Sequence, residues 1–588
     1  MQRSLLVYTG LLLVAVYLLY FLDLGSVPFF GTGEARESIE IQEAVLRGHW
    51  ILPMRDGIDI PSKPPMYHWL ASLSSLALGR VDELSARLPS ALLATATVLL
   101  VFWVGARRWG ASAGAYAAFV LATNFLWIRT ARGARVDMTL CAFLAGAFVA
   151  VESVALSARP RVIALVALVV CATAATLAKG PIGFLLPGLV GFVYILVRRD
   201  FARLIHPRVL FAGICVMVLA ATWYVLATIE GGMPFVHKQL YVENFKTFFA
   251  PGAESGTPVH SRFYVLPAFL AGFAPWSLFV IPLAVDLFRD RGRLDRRGDL
   301  YPLVWFLAVI LFFALASGKR TEYLLPIYPA AALLVGAWWS RLGTGDTRLP
   351  TSLRRLLQAI AVLAALAAIV LLVAILTEDG GHSPLESMRP LLHKTDQENL
   401  GLVRAVIRDH RAMWIAWGIP LTASGLVFAF AMWRRRWHLA FIGLAAFVIA
   451  ATVPINRVLH PALAQPQTLK PFLESVRRTV GSDDELAFYN SFDYSAVFYF
   501  QRRIPLLQDT FGPPPASGRA RYFLIWEDVW NQLGDEPRRQ LQWIARSDGT
   551  SPSLPMIHVD AEHPLEWIGH GGPTEVHLVL ARLVTGVP

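Results

Sequence analysis

The stretch Gly33-Glu34-Ala35-Arg36-Glu37 opens the polar segment on which the interpretation of this chain depends. The segment covers residues 23–85, follows directly on the apolar run Leu5–Leu22, and contains no second apolar run of membrane length. It is rich in Glu, Arg, Lys, His and Trp, and it includes Ser62-Lys63-Pro64-Pro65-Met66-Tyr67-His68-Trp69. A polar loop between apolar runs is a place where a membrane enzyme can hold its chemistry. We therefore treat 23–85 as the candidate active-site loop.

The composition is that of a membrane protein. Of 588 residues, 55% are hydrophobic and only 16% charged, and the mean hydropathy is +0.50, which excludes an ordinary soluble protein. The net charge of +11 comes from Arg clusters between apolar runs, a pattern typical of membrane topology and not of a nucleic-acid surface. We therefore predict no nucleic-acid partner. Cys141, Cys171 and Cys215 lie inside apolar runs, which indicates core residues and not a disulfide or a metal set.

About thirteen apolar runs approach the roughly 20 residues that a spanning helix needs. The first follows Met1-Gln2-Arg3, and no small-residue cleavage site precedes Asp23, which predicts an uncleaved signal-anchor span. The runs are 4–22, 86–104, 112–128, 137–157, 161–178, 182–197, 209–228, 263–286, 301–316, 323–340, 356–376, 412–433 and 437–453.

The Arg clusters set the expected orientation. With the N-terminus in the cytoplasm, every loop on that side is basic, as the positive-inside rule requires. An odd number of spans then places the tail on the outer side. The outer loops also carry Lys and Arg against this rule, which favours a substrate bearing phosphate. The cytoplasmic clusters contain Arg107-Arg108, Arg159/Arg161, Arg198/Arg199/Arg203/Arg208, Arg289/Arg291/Arg293/Arg296/Arg297, Arg341/Arg348/Arg354/Arg355 and Arg434-Arg435-Arg436.

The tail has a different character from the rest of the chain. We predict a transmembrane domain over 1–455 and a small periplasmic α/β domain over 456–588, where charged residues increase and short runs alternate. The tail shows no nucleophile elbow, phosphate loop or metal-ligand spacing, and its Pro-rich punctuation is Gly512-Pro513-Pro514-Pro515. The predicted strands are Glu485–Asn490, Arg521–Trp526 and Glu575–Leu583, and the predicted helices are Gln467–Val480, Tyr494–Gln501 and Glu527–Leu533.

Glu34, Arg36 and Glu37 lie where a helix can begin, since Thr32 or Gly33 can cap it. Arg36 is spaced to reach the carboxylate at position 40, four residues further on. One interpretation is an interfacial amphipathic helix with a solvated charged face. The other is a carboxylate that orients an acceptor hydroxyl or takes its proton. The residues alone leave both open.

Cations follow at the outer ends of several runs. Lys63 can bind a phosphate oxygen or serve as an interface anchor. Asp137 can be an interfacial acid paired with Arg135 or a functional acid among spans. Lys179 and Lys319 each stand beside a glycine, where backbone and ammonium can approach a ligand together, although snorkelling to the interface explains either one equally well.

With the two motifs already quoted, further short motifs form a collinear series that coincidence does not easily produce, the first of them between those two and the rest after them. In that order they resemble the C-type glycosyltransferases of the aminoarabinose lipid A transferase and protein O-mannosyltransferase group. The resemblance covers roughly residues 1–340, and the thirteen spans agree with that group. The motifs are His49-Trp50-Ile51-Leu52-Pro53, Arg87-Leu88-Pro89-Ser90, Arg135-Val136-Asp137, Ala178-Lys179-Gly180, Glu243-Asn244-Phe245, Ala274-Pro275-Trp276 and Ser317-Gly318-Lys319 with Tyr323.

The resemblance implies a polytopic α-helical membrane protein of the C-type glycosyltransferase fold with a periplasmic α/β domain at its C-terminus. It implies transfer of a sugar from a polyprenyl-phosphate donor of the undecaprenyl type, by a single inverting displacement without a covalent nucleophile. The acceptor is a lipid, a glycan or a protein at the outer face of the bacterial inner membrane. The implied catalytic residues are Glu34 and Asp137, and the implied substrate-binding residues are Arg36, Glu37, Lys63, Tyr67, His68, Arg132, Arg135, Lys179, His260, Lys319 and Tyr323.

Two positions depart from the group's pattern. The group commonly has Asp-Glu where this chain has Gly33-Glu34, so Glu34 is the nearest carboxylate to the usual catalytic Asp. The aminoarabinose transferases have a metal-linked Glu where this chain has Ser62. We therefore assign no metal-binding residue and no certain cofactor, leave a divalent metal open, and do not carry over the aminoarabinose specificity.

A different class of function is a non-catalytic transporter or flippase of polyprenyl-linked sugars. Such a protein is expected to carry charged residues through its spans at the midplane of the membrane. In this sequence the charged residues cluster at the outer ends of the runs instead, which favours the enzyme.

Overall fold

The computed structural model shows a largely helical chain with a small sheet near its C-terminus. It describes residues 2–29, 32–156, 161–201, 206–249, 258–347, 349–378, 386–391, 394–512, 519–552 and 575–584. The predicted Pro513-Pro514-Pro515 punctuation lies outside the described residues. The main helices are Gln2–Val16, Thr32–Arg47, Met66–Leu78, Glu83–Trp109, Ala111–Ala122, Phe125–Ala131, Val136–Leu156, Val162–Lys179, Ile182–Arg198, Pro207–Val236, Val265–Gly272, Val280–Arg289, Leu300–Leu315, Tyr328–Thr344, Thr351–Thr377, Lys394–Asp409, Arg411–Trp433 and Trp437–Pro454.

The expectation of a polytopic helical membrane protein is confirmed. Nine helices in the described part of the chain are long and apolar enough to cross a membrane, and three bent pairs bring the number up to twelve. The shorter apolar helix Ile182–Arg198 accounts for the remaining predicted run. The thirteen apolar runs therefore all fall on helices, although not all of them are single straight spans.

Two predicted spans are broken, which corrects the sequence interpretation. The run 112–128 forms two helices bent by 68°, because the Asn124 side chain accepts a hydrogen bond from Trp127 N and begins a new helix there. The run 263–286 forms two helices bent by 110° on either side of Ala274-Pro275. Proline has no N–H to donate and therefore interrupts the helical ladder.

The chain divides into two compact units that are discontinuous in sequence. The first unit comprises Met1–Leu24, Leu88–Thr222 and Val259–Ala462. The second unit comprises Gly25–Arg87, Trp223–Pro258 and Leu463–Pro588, so the first loop and the C-terminal tail belong to one unit. The predicted boundary between 455 and 456 stays a prediction.

Helices in the first unit approach each other closely at small residues. A Cβ added at Gly336 would collide with the backbone of Ala117, and a Cβ at Gly114 would collide with the backbone of Ala106. Glycine at these two positions therefore allows helix backbones to pack in van der Waals contact, as is common among membrane helices.

The second unit contains a five-stranded sheet in the order β2-β1-β3-β5-β4. Strand β1 pairs in parallel with β2 and β3, whereas β5 pairs antiparallel with β3 and β4. The predicted small α/β domain is thus present, with short helices at Lys470–Thr479, Tyr494–Phe500 and Glu527–Gln532. The strands are β1 Glu485–Tyr489, β2 Leu506–Leu507, β3 Arg521–Trp526, β4 Leu541–Pro552 and β5 Glu575–Leu583.

Candidate active site

The first-loop helix, Thr32–Arg47, buries its charged face. Glu37 is 5% exposed, and Glu40 and Glu43 are fully buried. The interpretation of this helix as one with a solvated charged face is therefore wrong. The C-terminal domain contributes to the burial, since the Gln42 amide donates to the carbonyl of Phe498 over 2.8 Å. A buried carboxylate requires a partner, and the partners define the site.

Glu34 is bound by Arg87 of the Arg-Leu-Pro-Ser motif. Arg87 Nε donates to Glu34 Oε1 over 3.0 Å, and Nη2 donates to Oε2 over 2.8 Å. The third guanidinium nitrogen, Nη1, donates to the Val27 carbonyl over 2.6 Å. A two-pronged pair of this kind fixes the orientation of both carboxylate oxygens. Arg36, implied by the resemblance to bind substrate, has Glu37 as its partner, with Arg36 Nη2 3.0 Å from Glu37 Oε1.

Arg55 is the centre of a buried network that the sequence interpretation missed. Its Nε donates to Glu40 Oε1 over 2.7 Å, and its Nη1 donates to Asp59 Oδ2 over 2.8 Å. Arg36, which the sequence interpretation spaced to reach Glu40, has Glu37 as its partner instead. Burial alone would lower the pKa of Arg55, but the charges of Glu40, Asp59 and Glu37 raise it well above its usual value. The guanidinium therefore stays charged in the interior.

Ser62 belongs to the same network. Arg55 Nη2 donates to Ser62 Oγ over 3.1 Å. Lys238 Nζ lies 2.5 Å from Asp59 Oδ1, so a second cation supports the network. Burial would raise the pKa of Asp59, but the charges of Arg55 and Lys238 lower it. Arg55 already binds two carboxylates, and its hydrogen bond to the neutral Ser62 hydroxyl adds a partner without adding a third negative charge.

His68 lies between two carboxylates. Its Nε2 is 3.0 Å from both Glu37 Oε2 and Glu40 Oε2, and the residue is 1% exposed. Burial would lower the pKa of His68, but the charge of Glu40 and the hydrogen bond and charge of Glu37 raise it. The pKa of Glu37 is lowered in spite of burial by its hydrogen bond with His68 and the charge of Arg36. Burial raises the pKa of Glu40.

These three residues are also the candidate metal site of the described chain. Glu37, Glu40 and His68 offer ligand atoms that all lie within 4.8 Å of one another. The fit to a divalent cation is poor, because Arg55 and Arg36 already neutralise the two carboxylates. The raised pKa of His68 also favours the imidazolium, which cannot ligate a metal. The expectation that no residue is assigned to a metal stays a prediction.

We expect the thermal stability of the protein to fall as the pH rises above about 6.5, the unperturbed pKa of histidine. His68 has a raised pKa in the folded state, so its stabilisation is complete below that value and disappears as the pH passes its folded pKa. The groups that face it are Glu37, Glu40 and Arg55. Thermal melts of the purified protein over pH 5–9 give the measurement.

Two variants separate His68 from other groups in this pH experiment. His68→Gln is expected to flatten the decline. Burial raises the pKa of Asp56 to about 7, so ionisation of Asp56 also lowers the stability as the pH rises towards that value. Asp56→Asn removes this contribution. A decline of the same slope in His68→Gln as in the wild type would contradict the assignment.

Lys63 and Tyr67 belong to the Ser-Lys-Pro-Pro-Met-Tyr-His-Trp motif but have different environments. Lys63 makes an ion pair with Glu243 of the Glu-Asn-Phe motif, and both side chains are partly exposed. Tyr67 is buried and donates its hydroxyl to the Ala86 carbonyl over 2.9 Å. Lys63 is therefore placed where a ligand can compete for it, whereas the Tyr67 hydroxyl is committed to the protein backbone.

In the first unit, three motifs meet at Asp137. Asp137 stands in the first turn of its helix and Lys179 at the end of another, and the two make an ion pair. Lys179 Nζ also lies 4.0 Å from the centroid of the Tyr323 ring. Each charge is favourable at its helix end, and the ring adds a cation–π contact. The sequence interpretation considered Arg135 as the partner of Asp137, whereas the structure provides Lys179.

Arg132 and Arg135 have different roles in the loop that precedes Asp137. Arg132 Nη1 donates to the carbonyls of Leu19 and Leu22 over 3.2 and 2.9 Å, so it caps the end of the first helical segment. The half-buried Arg135 guanidinium makes no hydrogen bond or ion pair within the part of the chain that the structure describes. An uncommitted guanidinium two residues before Asp137 in the chain is a suitable anion ligand.

Lys319, predicted to bind substrate, is held by backbone. It is 3% exposed and donates to the carbonyls of His260, over 3.1 Å, and of Ala316. Burial and the charge of Arg262 lower its pKa. Lys319 and Tyr323 line one narrow cleft together with Tyr264. The His260 ring stacks on the Tyr264 ring, with 4.0 Å between the ring centroids.

The protein, including its C-terminal α/β domain, has the C-type glycosyltransferase fold. Over 98% of both chains, the protein aligns with ArnT from Cupriavidus metallidurans bound to undecaprenyl phosphate, with a TM-score of 0.70 and 19% sequence identity. The expected fold class is thereby confirmed.

The sequence comparisons agree with the resemblance drawn from the motifs. Residues 62–226 match the family described as dolichyl-phosphate-mannose-protein mannosyltransferase. The chain is 26% identical over 56% of its length to an undecaprenyl phosphate-alpha-4-amino-4-deoxy-L-arabinose arabinosyl transferase 2 of Proteus mirabilis, and 29% identical over 60% to one of Pseudomonas fluorescens. The matches span 59% and 60% of those relatives' lengths. The resemblance to this group of glycosyltransferases is confirmed.

Proposed function

We propose that the protein is an integral-membrane glycosyltransferase that moves a sugar from a polyprenyl-phosphate donor, of the undecaprenyl type, to a lipid, glycan or protein hydroxyl. The observation that carries the proposal is that motif residues far apart in sequence meet as carboxylate–cation pairs. Glu34 meets Arg87 in the second unit, and Asp137 meets Lys179 in the first. The fold shared with ArnT and the named activities of the relatives support the same class.

The chemistry needs few protein groups. The acceptor oxygen attacks the anomeric carbon, the bond from that carbon to the phosphate oxygen breaks, and its electron pair leaves on the polyprenyl phosphate. A carboxylate orients the acceptor hydroxyl and takes its proton, while cations stabilise the departing phosphate. In this proposal Glu34 or Asp137 is the carboxylate, and Lys63, Arg135, Lys179 and Lys319 are the candidate phosphate ligands.

The proposal includes a location and an orientation. The protein is a multi-pass membrane protein. We place it in the bacterial inner membrane with a cytoplasmic N-terminus and a periplasmic C-terminal domain, because the basic loops alternate along the chain as the positive-inside rule requires. The acceptor is then glycosylated at the outer face.

Reconstitution tests the proposed activity. Purified protein in liposomes is incubated with undecaprenyl-phosphate-linked labelled sugars and a membrane extract as the source of acceptors. Label is expected to move into the acceptor fraction with the wild type and to remain on the carrier with Asp137→Asn. Label that crosses the bilayer on the carrier without any glycosylated product would establish the flippase instead. Equal product formation by Asp137→Asn would contradict the role of Asp137.

Arg135→Gln is expected to raise the KM for the donor by about 10- to 100-fold, since a charge-assisted hydrogen bond contributes about 1.5–3 kcal/mol. Arg135→Lys keeps the charge but not the planar fork, so an intermediate KM is expected. The measurement is initial rate against donor concentration. Arg129→Gln is the matched control, because Arg129 is more than half exposed and pairs with Glu322. An unchanged KM in Arg135→Gln would contradict phosphate binding there.

A further inference from the structure

We propose that the C-terminal domain positions the Glu34–Arg87 pair and that the Tyr499 hydroxyl is the positioning group. The inference rests on the proposed function, because it gives that pair a task in sugar transfer. It assigns a role to a domain whose sequence carries no catalytic motif. All of the residues involved lie within the second unit.

The Tyr499 hydroxyl joins the two chain segments that carry the pair. It accepts a hydrogen bond from the backbone N–H of Phe29 over 2.7 Å, a few residues before Glu34. It donates to Glu83 Oε1 over 2.9 Å, at the start of the helix that carries Arg87. Glu83 and Arg87 are four residues apart and therefore lie on the same helix face. The Tyr499 hydroxyl thus fixes the distance between the segment that leads to Glu34 and the helix that carries Arg87.

Burial makes this hydroxyl a reliable donor. Burial, together with the negative charge of Glu83, raises the pKa of Tyr499, so the phenol keeps its proton. Lys470 of the same domain lies 2.8 Å from Glu83 Oε1 and supplies the charge that a buried carboxylate requires. Two side chains of the C-terminal domain therefore hold one end of the Arg87 helix.

Phe29 lies in contact with both the C-terminal domain and Arg87. Its ring packs against Phe498 at 5.0 Å between centroids, and its carbonyl accepts a hydrogen bond from Thr468 Oγ1 over 3.3 Å. The Arg87 guanidinium lies 5.1 Å from the centroid of the Phe29 ring. A guanidinium confined by a ring, a carbonyl and a carboxylate has little freedom, so displacement of Phe29 changes the position of Arg87 and with it Glu34.

The test is the kinetics of the full-length Tyr499→Phe protein with undecaprenyl-phosphate-linked sugar. The ring is retained and only the hydroxyl is lost. A misplaced catalytic group lowers turnover without removing donor contacts, so kcat is expected to fall about 10- to 100-fold while the donor KM stays within about twofold. Tyr489→Phe, the same change on strand β1 of this domain, is the control and is expected to match the wild type.

The outcomes separate the two proposals. An inactive wild type refutes the proposed function. An active wild type with Tyr499→Phe equal to Tyr489→Phe in kcat overturns only the positioning role, as does a change confined to KM. If Tyr499→Phe does not fold, Phe498→Leu replaces it, since it keeps the hydroxyl and removes the ring against Phe29. A normal kcat in that variant would overturn the inference.

Discussion

Glu34→Gln is expected to lower the turnover of sugar transfer by about 10²- to 10⁴-fold, the range that follows when a proton acceptor in the transition state is removed. The amide oxygen still accepts from one Arg87 N–H, whereas the amide nitrogen cannot accept from the other, so one of the two hydrogen bonds is lost. The amide cannot take a proton from the acceptor hydroxyl. The loss is therefore expected in kcat, with little change in the donor KM.

The same substitution at an exposed position is the control. Glu230→Gln changes an exposed carboxylate in the second unit and is expected to leave kcat unchanged. Product formation is followed with labelled undecaprenyl-phosphate-linked sugar at saturating donor. If Glu34→Gln retains wild-type turnover while Asp137→Asn loses it, the proton acceptor is Asp137 and Glu34 has a structural role with Arg87.

The general architecture was predictable because hydrophobic length and alternation are local properties of the sequence. Strands Arg521–Trp526 and Glu575–Leu583 have the predicted bounds. Strand Leu541–Pro552 was missed, because it is a polar edge strand whose register shifts twice along its partner. The broken span at 263–286 was missed because the apolar-run criterion counts hydrophobic residues and takes no account of Pro275, where the helical ladder is interrupted.

The candidate site was predictable only as a set of residue types. The motifs contain Glu34, Lys63 and Asp137 and also the residues that bind them, but they do not show which residue pairs with which, because each partner lies 40 or more positions away in sequence. Arg55 lies in no motif, and the carboxylates of Thr32–Arg47 look like a solvated face until tertiary packing buries them. The spacing of charges along a helix cannot show which face other segments will cover.

Arg55→Met has the largest expected effect on stability. Removal of one partner from a buried ion pair typically costs about 3–5 kcal/mol, because the other charge stays buried without compensation. Arg55 is 3% exposed, and it binds both Glu40 and Asp59. The free energy of unfolding, measured by denaturant titration of the detergent-solubilised protein with tryptophan fluorescence, is expected to fall by that amount.

Two further variants show whether the buried charge causes the loss. Arg546→Met removes an arginine that is nearly half exposed and paired with Glu527, and exposed pairs contribute about 0–1 kcal/mol. In Arg55→Met combined with Glu40→Gln, the stranded carboxylate is removed, so part of the lost stability should return. If the double variant is as unstable as Arg55→Met, the arginine stabilises the loop by packing and not by compensating Glu40. If Arg55→Met is as mild as Arg546→Met, the network around His68 does not depend on Arg55.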